Sequence, residues 1–296
     1  MNKQEALRFK RIMVKLSGEA LAENKEKDEA FAYLRNVSER ELYKDPDIFH
    51  RRLVETLDKY QKHDETGINF TYILDICESI KKVHDLGVQI GITVGGGNYW
   101  RGRSNTEMSS LSADHIGMLA TLMNAMTLGA AFEHIGVPVR VQSAISVREI
   151  TEDLIARKAI RHYEKGRIVV YGAGTGRTNC STDSGAALNA VETNSDAIIK
   201  LTGNVDGIYS EDPIKNPNAK KYRTISIQDA ISNPLINVMD DKAMADIRNL
   251  DIPIIVASLE PKENLYNIVI GLEIGTFVSN NVETKFYEDD YKLVLK

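Results

Sequence analysis

Three consecutive glycines, Gly95–Gly97, follow an apolar stretch at 88–93 and are followed closely by Arg101. Because glycine has no Cβ, the backbone there can come within hydrogen-bonding distance of a ligand. Unpaired N–H groups in such a turn form a concave anion site, and a nearby arginine can add a charge-assisted contact to phosphate. Taken alone, the run is equally compatible with a simple tight turn.

Lys15 lies near the end of an earlier apolar stretch and precedes Ser17 and Gly18. Phosphoryl transfer needs mainly cations and backbone N–H groups around the phosphate oxygens, and Lys15, Arg101 and two glycine turns can supply them. A lysine at a strand end is commonly a surface residue. Lys15 alone therefore does not establish this chemistry.

A second glycine-rich turn, at 172–176, precedes Thr182-Asp183-Ser184. It resembles a dinucleotide fingerprint only loosely, since the full G-x-G-x-x-G pattern is absent, and a Rossmann fold is disfavoured. A loop rich in N–H and hydroxyl donors before a helix can still hold phosphate. Asp183 is either a helix cap or a charge that orients a lysine and a metal ion.

Two further stretches could hold a nucleoside. Asp114 begins a long apolar helix, where it is either a cap or a partner for sugar hydroxyls. An Asp206-Gly207 turn is followed by Tyr209 and Asp212, so that adenine could pack on Tyr209 while Asp212 accepts a hydrogen bond from ribose. Turn chemistry alone would also explain Asp206-Gly207.

Predicted strands and helices alternate along most of the chain. The sequence predicts strands at 11–16, 88–93, 139–142, 167–171, 197–201 and 252–257, and helices at 72–86, 114–132, 150–163, 184–192 and 241–249. This alternation favours right-handed βαβ units on a mostly parallel sheet with helices on both faces. Because ligands bind such sheets beyond the carboxyl ends of the strands, Gly18, Gly95, Gly172 and Thr202 are expected to share one site.

The composition is that of a globular protein, with 296 residues, 43% hydrophobic and 27% charged. A net charge of −5 disfavours nucleic-acid binding. We expect no membrane span, because apolar runs stay below about 18 residues, and no secretion signal, because the first ten residues are polar. Two cysteines indicate neither a disulfide framework nor a zinc site and favour the cytoplasm.

Residues 23–66 interrupt the alternation: the segment is dense in charge and contains no glycine. Phe49, Leu53, Leu57 and Tyr60 recur at helical spacing, which predicts an amphipathic helix. We interpret the chain as one domain, 1–296, with a charged helical insertion that is either a solvated elaboration or a regulatory or subunit contact.

Taken together, these stretches resemble the bacterial uridylate kinases of the amino-acid-kinase superfamily, from Lys10 to about Asn280 outside the charged insertion. The Asp206-Gly207 stretch is typical of the whole superfamily, whereas 114–121 is typical of uridylate kinases. The matching segments are 15–21, 95–98 with 101–102, 114–121, 174–176, 182–184, 205–213 and 238–240.

The resemblance implies a three-layer α/β sandwich of the carbamate-kinase type. It also implies transfer of the γ-phosphoryl group of ATP to UMP, giving UDP and ADP, with Mg²⁺ accompanying ATP. Family members act in pyrimidine nucleotide biosynthesis, are typically homohexamers built as a trimer of dimers, and have GTP and UTP as candidate effectors. No nucleic-acid partner is implied.

The resemblance also assigns roles by position, and it assigns no metal-ligating residue. The expected catalytic residues are Lys15, Asp183 and Asp240. The expected ATP-binding residues are Lys15, Leu16, Ser17, Gly18, Gly97, Arg101, Thr202, Asn204, Tyr209 and Asp212. The expected UMP-binding residues are Gly96, Asp114, Thr175, Gly176, Arg177, Thr178, Asn179, Cys180, Ser181 and Thr182.

Two departures from the family pattern bear on function. The loop at 177–181 reads Arg-Thr-Asn-Cys-Ser where the family usually has Asn-Pro-aromatic-Phe-Thr, which bears on acceptor specificity. The insertion at 23–66 replaces a short glycine-containing loop, so we expect GTP activation to be altered or absent. The alternatives are a related phosphotransferase with another acceptor and a nucleotide sensor without turnover, which would be expected to lack Lys15 or Asp183.

Overall fold

The computed structural model describes residues 7–22, 67–100, 108–203, 205–236 and 238–287. The insertion at 23–66, Arg101 and Asn204 lie outside these residues. Within them the strands are β1 Arg11–Leu16, β2 Gln89–Val94, β3 Val139–Ser143, β4 Glu152–Asp153, β5 Ile168–Gly172, β6 Ala197–Thr202, β7 Tyr222–Ser226, β8 Ile254–Ser258, β9 Thr276–Ser279 and β10 Lys285–Phe286. The helices are α1 Phe70–His84, α2 Ser110–His134, α3 Ala156–Glu164, α4 Thr182–Glu192, α5 Ile227–Ser232, α6 Asp241–Leu250 and α7 Asn264–Val269.

The described strands form one sheet in the order β10-β7-β9-β8-β6-β1-β2-β5-β3-β4. The segment from β8 through β6, β1, β2, β5 and β3 to β4 is parallel, whereas β9 runs antiparallel to β8. The predicted mostly parallel sheet with helices on both faces is confirmed. Because β1 lies between β6 and β2, it is a central strand of the sheet. Its carboxyl end is therefore flanked by the carboxyl ends of two parallel neighbours.

Side-chain alternation along β1 separates two cores. Ile12, Val14 and Leu16 face a core that includes residues of α1, α2 and α7. Met13 faces the opposite core, which includes residues of α3, α4, α5 and α6. Since side chains two apart on a strand share a face, Lys15 lies on the side of Met13 and of α4 and α6.

The predicted elements differ from the observed ones mainly at 150–155. The helix predicted for 150–163 begins only at Ala156, because Glu152 and Asp153 form β4 and pair with Gln142 and Ser143 of β3. The strands β7, β9 and β10, which lie beyond β8 in the sheet, and the short helices α5 and α7 were not predicted.

Helix α2 is the one helix, among the described residues, that is long and apolar enough to cross a membrane. However, 56% of its most apolar window is buried inside the protein. Its buried side chains, among them Leu128 and Phe132, belong to the first core. We therefore interpret α2 as a core helix.

Candidate active site

Two lysines lie side by side at the carboxyl ends of the central strands. Lys15 of β1 is paired in register with Lys200 of β6 and with Thr93 of β2. Both lysine side chains are largely covered, with 11% and 15% of their surface exposed. Two buried like charges repel each other, and this repulsion destabilises the fold unless an opposite charge offsets it. The placement therefore requires a nearby carboxylate.

Asp183 is that carboxylate. Its Oδ1 lies 3.1 Å from Lys15 Nζ, and its Oδ2 accepts a hydrogen bond of 2.9 Å from Lys200 Nζ. Asp183 Oδ1 is buried and has no hydrogen-bond partner. Its contact with Lys15 is therefore an ion pair without hydrogen-bond alignment. Two ammonium groups and one carboxylate leave this centre with a net charge of +1, which suits a phosphate ligand.

Lys200 is the more deeply held of the two lysines. Its Nζ also donates to the carbonyl of Val238 at 2.7 Å. Burial, reinforced by the charge of Lys15, lowers the pKa of Lys200, while Asp183 opposes this shift by favouring the ammonium form. Asp183 therefore favours the charged form of the second lysine.

Asp183 is positioned by the way its helix begins. It lies in the first turn of α4, where Ser181 Oγ accepts hydrogen bonds from the Asp183 and Ser184 N–H groups at 2.9 and 3.2 Å. This is the usual arrangement of an N-cap serine. The positive end of the helix dipole also favours a carboxylate at this position.

Asp240 ties the starts of α4 and α6 together. It caps α6 by accepting from the Ala243 N–H at 2.9 Å, and it accepts hydrogen bonds from the hydroxyls of Ser181 and Ser184. Burial raises the pKa of Asp240, but the hydrogen bonds outweigh it and the pKa lies below its ordinary value. Through the hydroxyls of Ser181 and Ser184, Asp240 therefore stabilises the start of α4, which carries Asp183.

The two glycine turns after β1 and β2 interlock. A Cβ at Gly18 would lie 2.5 Å from the Gly95 carbonyl oxygen and 2.6 Å from the Gly97 nitrogen. A Cβ at Gly96 would lie 2.9 Å from the Ala120 Cβ. These distances exclude any side chain, so the glycines are required by close packing of backbone on backbone and of the turn on α2.

The predicted acceptor residues lie around α2 and the loop before α4. The Asn179 N–H donates to Asp114 Oδ2 at 2.7 Å, which joins the loop to α2. The loop changes direction through positive φ angles at Gly174, Gly176 and Asn179. The other predicted UMP-binding residues lie in the same loop. The Thr175 hydroxyl accepts a hydrogen bond from the Arg177 N–H, and Lys242 Nζ lies 3.2 Å from Cys180 Sγ. Thr178 is partly exposed, and Thr182 begins α4.

A cavity of about 360 Å³ lies beyond β6 and β8, on the predicted ATP side. The Tyr209 hydroxyl donates to Asp206 at 2.7 Å, and Asp206 also pairs with Lys221 at 2.7 Å. Asp212 does not line the cavity; it is exposed and accepts from the Ile214 N–H at 3.0 Å. The cavity is lined by Gly203, Val205, Asp206, Tyr209, Pro213, Ile214, Ser258 and Glu260.

The structure thus brings Lys15 into contact with Asp183 and Gly18 into contact with Gly97, as predicted partners of one site. Leu16 and Ser17 lie at the end of β1, and Thr202 lies at the end of β6. Lys200 was missed from sequence. A signal existed: the strands RIMVKL and AIIKLT both carry a lysine two residues before Ser17 or Thr202, in otherwise apolar stretches.

The described residues contain no group of three or more His, Cys, Asp or Glu side chains that could hold a metal ion. Both oxygens of Asp183 face lysines, and those of Asp240 face hydroxyls and an N–H group. Mg²⁺ commonly keeps water and substrate phosphates as ligands and needs few protein carboxylates. The residues present therefore fit a magnesium ion that is held mainly by nucleotide phosphates.

Comparison with known proteins agrees with this geometry. The pattern of the amino acid kinase family matches residues 10–258. A curated uridylate kinase from Limosilactobacillus reuteri (strain DSM 20016) is 42% identical over 277 residues, which is 93% of this chain and 99% of that protein. The chain therefore belongs to the amino acid kinase family, in the branch of the uridylate kinases.

Solved structures of UMP kinases share the fold. That from Bacillus anthracis has a TM-score of 0.76 at 29% identity and covers 94% of this chain and 98% of its own. That from Ureaplasma parvum has a TM-score of 0.73 at 30% identity, covering 92% and 99%. The family and the fold expected from the motifs are confirmed.

Proposed function

We propose that this protein is an ATP-dependent UMP kinase of pyrimidine nucleotide biosynthesis, which converts ATP and UMP into ADP and UDP. The observation that carries the proposal is the Lys15–Asp183–Lys200 centre beside the interlocked glycine turns. The similarity to a uridylate kinase over 93% of the chain supports UMP as the acceptor.

In the proposed mechanism, an oxygen of the UMP phosphate attacks the γ-phosphorus of ATP in line, and the bond to the β–γ bridging oxygen breaks. Lys15 and Lys200 neutralise charge on the transferring group, and the N–H groups of the glycine turns bind the phosphate oxygens. Mg²⁺ bound together with ATP would supply further positive charge. No general base is needed, because the attacking phosphate is already anionic at neutral pH.

We assign the two nucleotides to opposite sides of the glycine turn. Leu16, Ser17, Gly18 and Gly97 lie on the ATP side, and the cavity beside Tyr209 suits adenosine. Gly96, Asp114 and the loop 175–182 lie on the UMP side, where Asp114 Oδ1 remains for the ribose. Arg101 and Asn204 keep their predicted ATP-binding roles, and Asp212 would have to act from the rim.

We also propose a cytoplasmic homohexamer with an altered response to GTP. Leu111, Leu119 and Met123 of α2 are 55%, 50% and 48% exposed, which supports a subunit contact through this helix. The altered GTP response rests on the charged segment at 23–66. A GTP titration of the initial rate that gave ordinary activation would refute that part.

The acceptor is tested with a panel of nucleoside monophosphates in a coupled assay of ADP release. We expect UMP to give a kcat/KM at least about tenfold above that of CMP, dTMP, AMP and GMP. Preference for another acceptor would support the related phosphotransferase, which the polar loop at 177–181 favours. Binding of ATP and UMP without turnover would support the nucleotide sensor, which the paired Lys15 and Asp183 disfavour.

A further inference from the structure

Two asparagine side chains behind the glycine turn form a closed amide pair. Asn98 Nδ2 donates to Asn124 Oδ1 at 3.0 Å, and Asn124 Nδ2 donates to Asn98 Oδ1 at 2.7 Å. The second N–H of Asn124 donates to the Gly95 carbonyl at 2.7 Å, and that of Asn98 to the Gly67 carbonyl at 2.7 Å. All four amide N–H donors and both amide oxygens are thus used.

This arrangement permits one orientation of each amide. The carbonyls of Gly95 and Gly67 only accept hydrogen bonds, so both amides must present NH₂ groups to them. Asn124 has no exposed surface. A fully satisfied pair with one member buried is rigid, because any rotation leaves several polar groups without partners.

The pair determines where the Gly96 N–H points. In a trans peptide the C=O of one residue and the N–H of the next lie on opposite sides of a rigid plane. Because Asn124 holds the Gly95 carbonyl, the Gly96 N–H is directed away from the Asn124 side chain. Gly95 is also held through its own N–H, which donates to the Leu16 carbonyl at 2.9 Å.

We infer that Asn124 is a positioning residue for the Gly96 amide on the acceptor side, and that Asn98 links this amide to Gly67. This inference rests on the proposed function, in which Gly96 lies on the UMP side. Gly67 is the first described residue after 23–66, and its φ of +64° holds the chain where its carbonyl meets Asn98. A displacement of Gly67 therefore changes the alignment of the glycine turn.

Trp100 reports on this region independently of activity. It is the only tryptophan of the chain. Its backbone N–H donates to the Gly96 carbonyl at 2.9 Å, and its indole N–H donates to the Ala113 carbonyl at 2.9 Å. Its emission maximum and its quenching by acrylamide therefore follow the conformation of the turn and the start of α2.

The main test compares Asn124→Ala with Thr193→Ala, a buried hydrogen-bonding residue with 1% exposure whose hydroxyl donates to the Asn189 carbonyl. Both variants should lower Tm. Only Asn124→Ala should raise KM for UMP and lower kcat, each by roughly tenfold, with KM for ATP changed less than about threefold. Only Asn124→Ala should shift Trp100 emission.

Asn98→Ala and the double variant test whether the pair acts as a unit. Asn98→Ala should change the same parameters in the same direction, and the double variant should be no worse than the poorer single variant. If Asn124→Ala does not fold, Asn98→Ala supplies the comparison with Thr193→Ala.

The link to Gly67 is tested by Gly67→Ala against Gly136→Ala. Both glycines have positive φ, +64° and +74°, but an added Cβ would meet Asn98 and Tyr99 at 3.2 Å only at Gly67. Only Gly67→Ala should raise KM for UMP and shift Trp100 emission.

Unchanged KM for UMP and unchanged Trp100 emission in Asn124→Ala, with a Tm loss like that of Thr193→Ala, would overturn the inference. A wild-type protein without UMP turnover would instead refute the proposed function, and the emission comparison would still decide the role of Asn124.

Discussion

The replacement Lys200→Met removes one of the two cations at the catalytic centre and keeps most of the length of the side chain. Asp183 lies 2.9 Å from Lys200 and 3.1 Å from Lys15, so that the centre carries +1 in the wild type and zero in the variant. At an effective dielectric constant near 20, each contact corresponds to about 5 to 6 kcal/mol of Coulomb energy before desolvation is subtracted.

Only the part of this interaction that grows in the transition state affects turnover. Loss of a single charge-stabilising donor in other enzymes costs about 100- to 1,000-fold in kcat. We expect Lys200→Met to lower kcat by that factor and to raise KM for ATP several-fold. Folding should survive, because Asp183 retains Lys15 and the unpaired Val238 carbonyl costs about 1 to 3 kcal/mol.

The assay is initial-rate ADP release with saturating UMP, together with a thermal melt. Lys81→Met is the matched control, since the Lys81 side chain is 32% exposed and pairs with Asp85 at 2.6 Å at the C-terminal end of α1. It should keep kcat within about twofold of the wild type. A kcat for Lys200→Met within about threefold of the wild type would show that Lys200 does not act on the transferring phosphoryl group.

Three further changes test other parts of the site. Asp183→Asn removes the group that opposes the lowered pKa of Lys200, so residual kcat should fall as pH rises and recover at lower pH, whereas a flat pH profile would contradict this role. Gly18→Ala should lower kcat/KM for ATP more than about 100-fold, because the new Cβ would lie 2.5 Å from the Gly95 oxygen. Asp240→Ala should cost about 1 to 2 kcal/mol of unfolding free energy at pH 7. Since the pKa of Asp240 is depressed, this difference should begin to shrink as pH falls below about 4 and should be lost once pH falls below the depressed pKa, and a pH-independent difference would exclude the charged form as the stabilising one.

The elements that build the site were predictable because they have strong local patterns. The strands β1, β2, β5 and β6 are short, apolar and rich in β-branched residues, and each ends at or directly before a glycine, serine or threonine. The predicted helix start at 150 was wrong, because residues 152–153 form the strand β4. This strand has only two residues, both acidic, and it depends on pairing with β3. That pairing is not encoded in a local period.

The catalytic centre was predictable only in part, because its partners are distant in sequence. Glycine turns and Lys15 were found from types and spacing, but the bond between Lys200 and Asp183 spans 17 residues and joins a strand to a helix. The Asn98–Asn124 pair spans 26 residues and lies behind the turn that it orients. Asparagines carry no periodic signal of this kind.

The hydrogen bonds around Ser181 explain why divergence of the loop at 177–181, our proposed acceptor loop, leaves Asp183 in place. Ser181 ends the loop at 177–181, caps the helix that carries Asp183, and donates to Asp240. Where the uridylate kinases usually have threonine, this chain has serine at position 181. The hydroxyl that caps α4 and donates to Asp240 is therefore retained. The four preceding residues contact neither lysine of the centre through the hydrogen bonds described. Changes at 177–180 should therefore alter which acceptor is bound, whereas loss of the Ser181 hydroxyl should displace Asp183 and lower turnover with every acceptor.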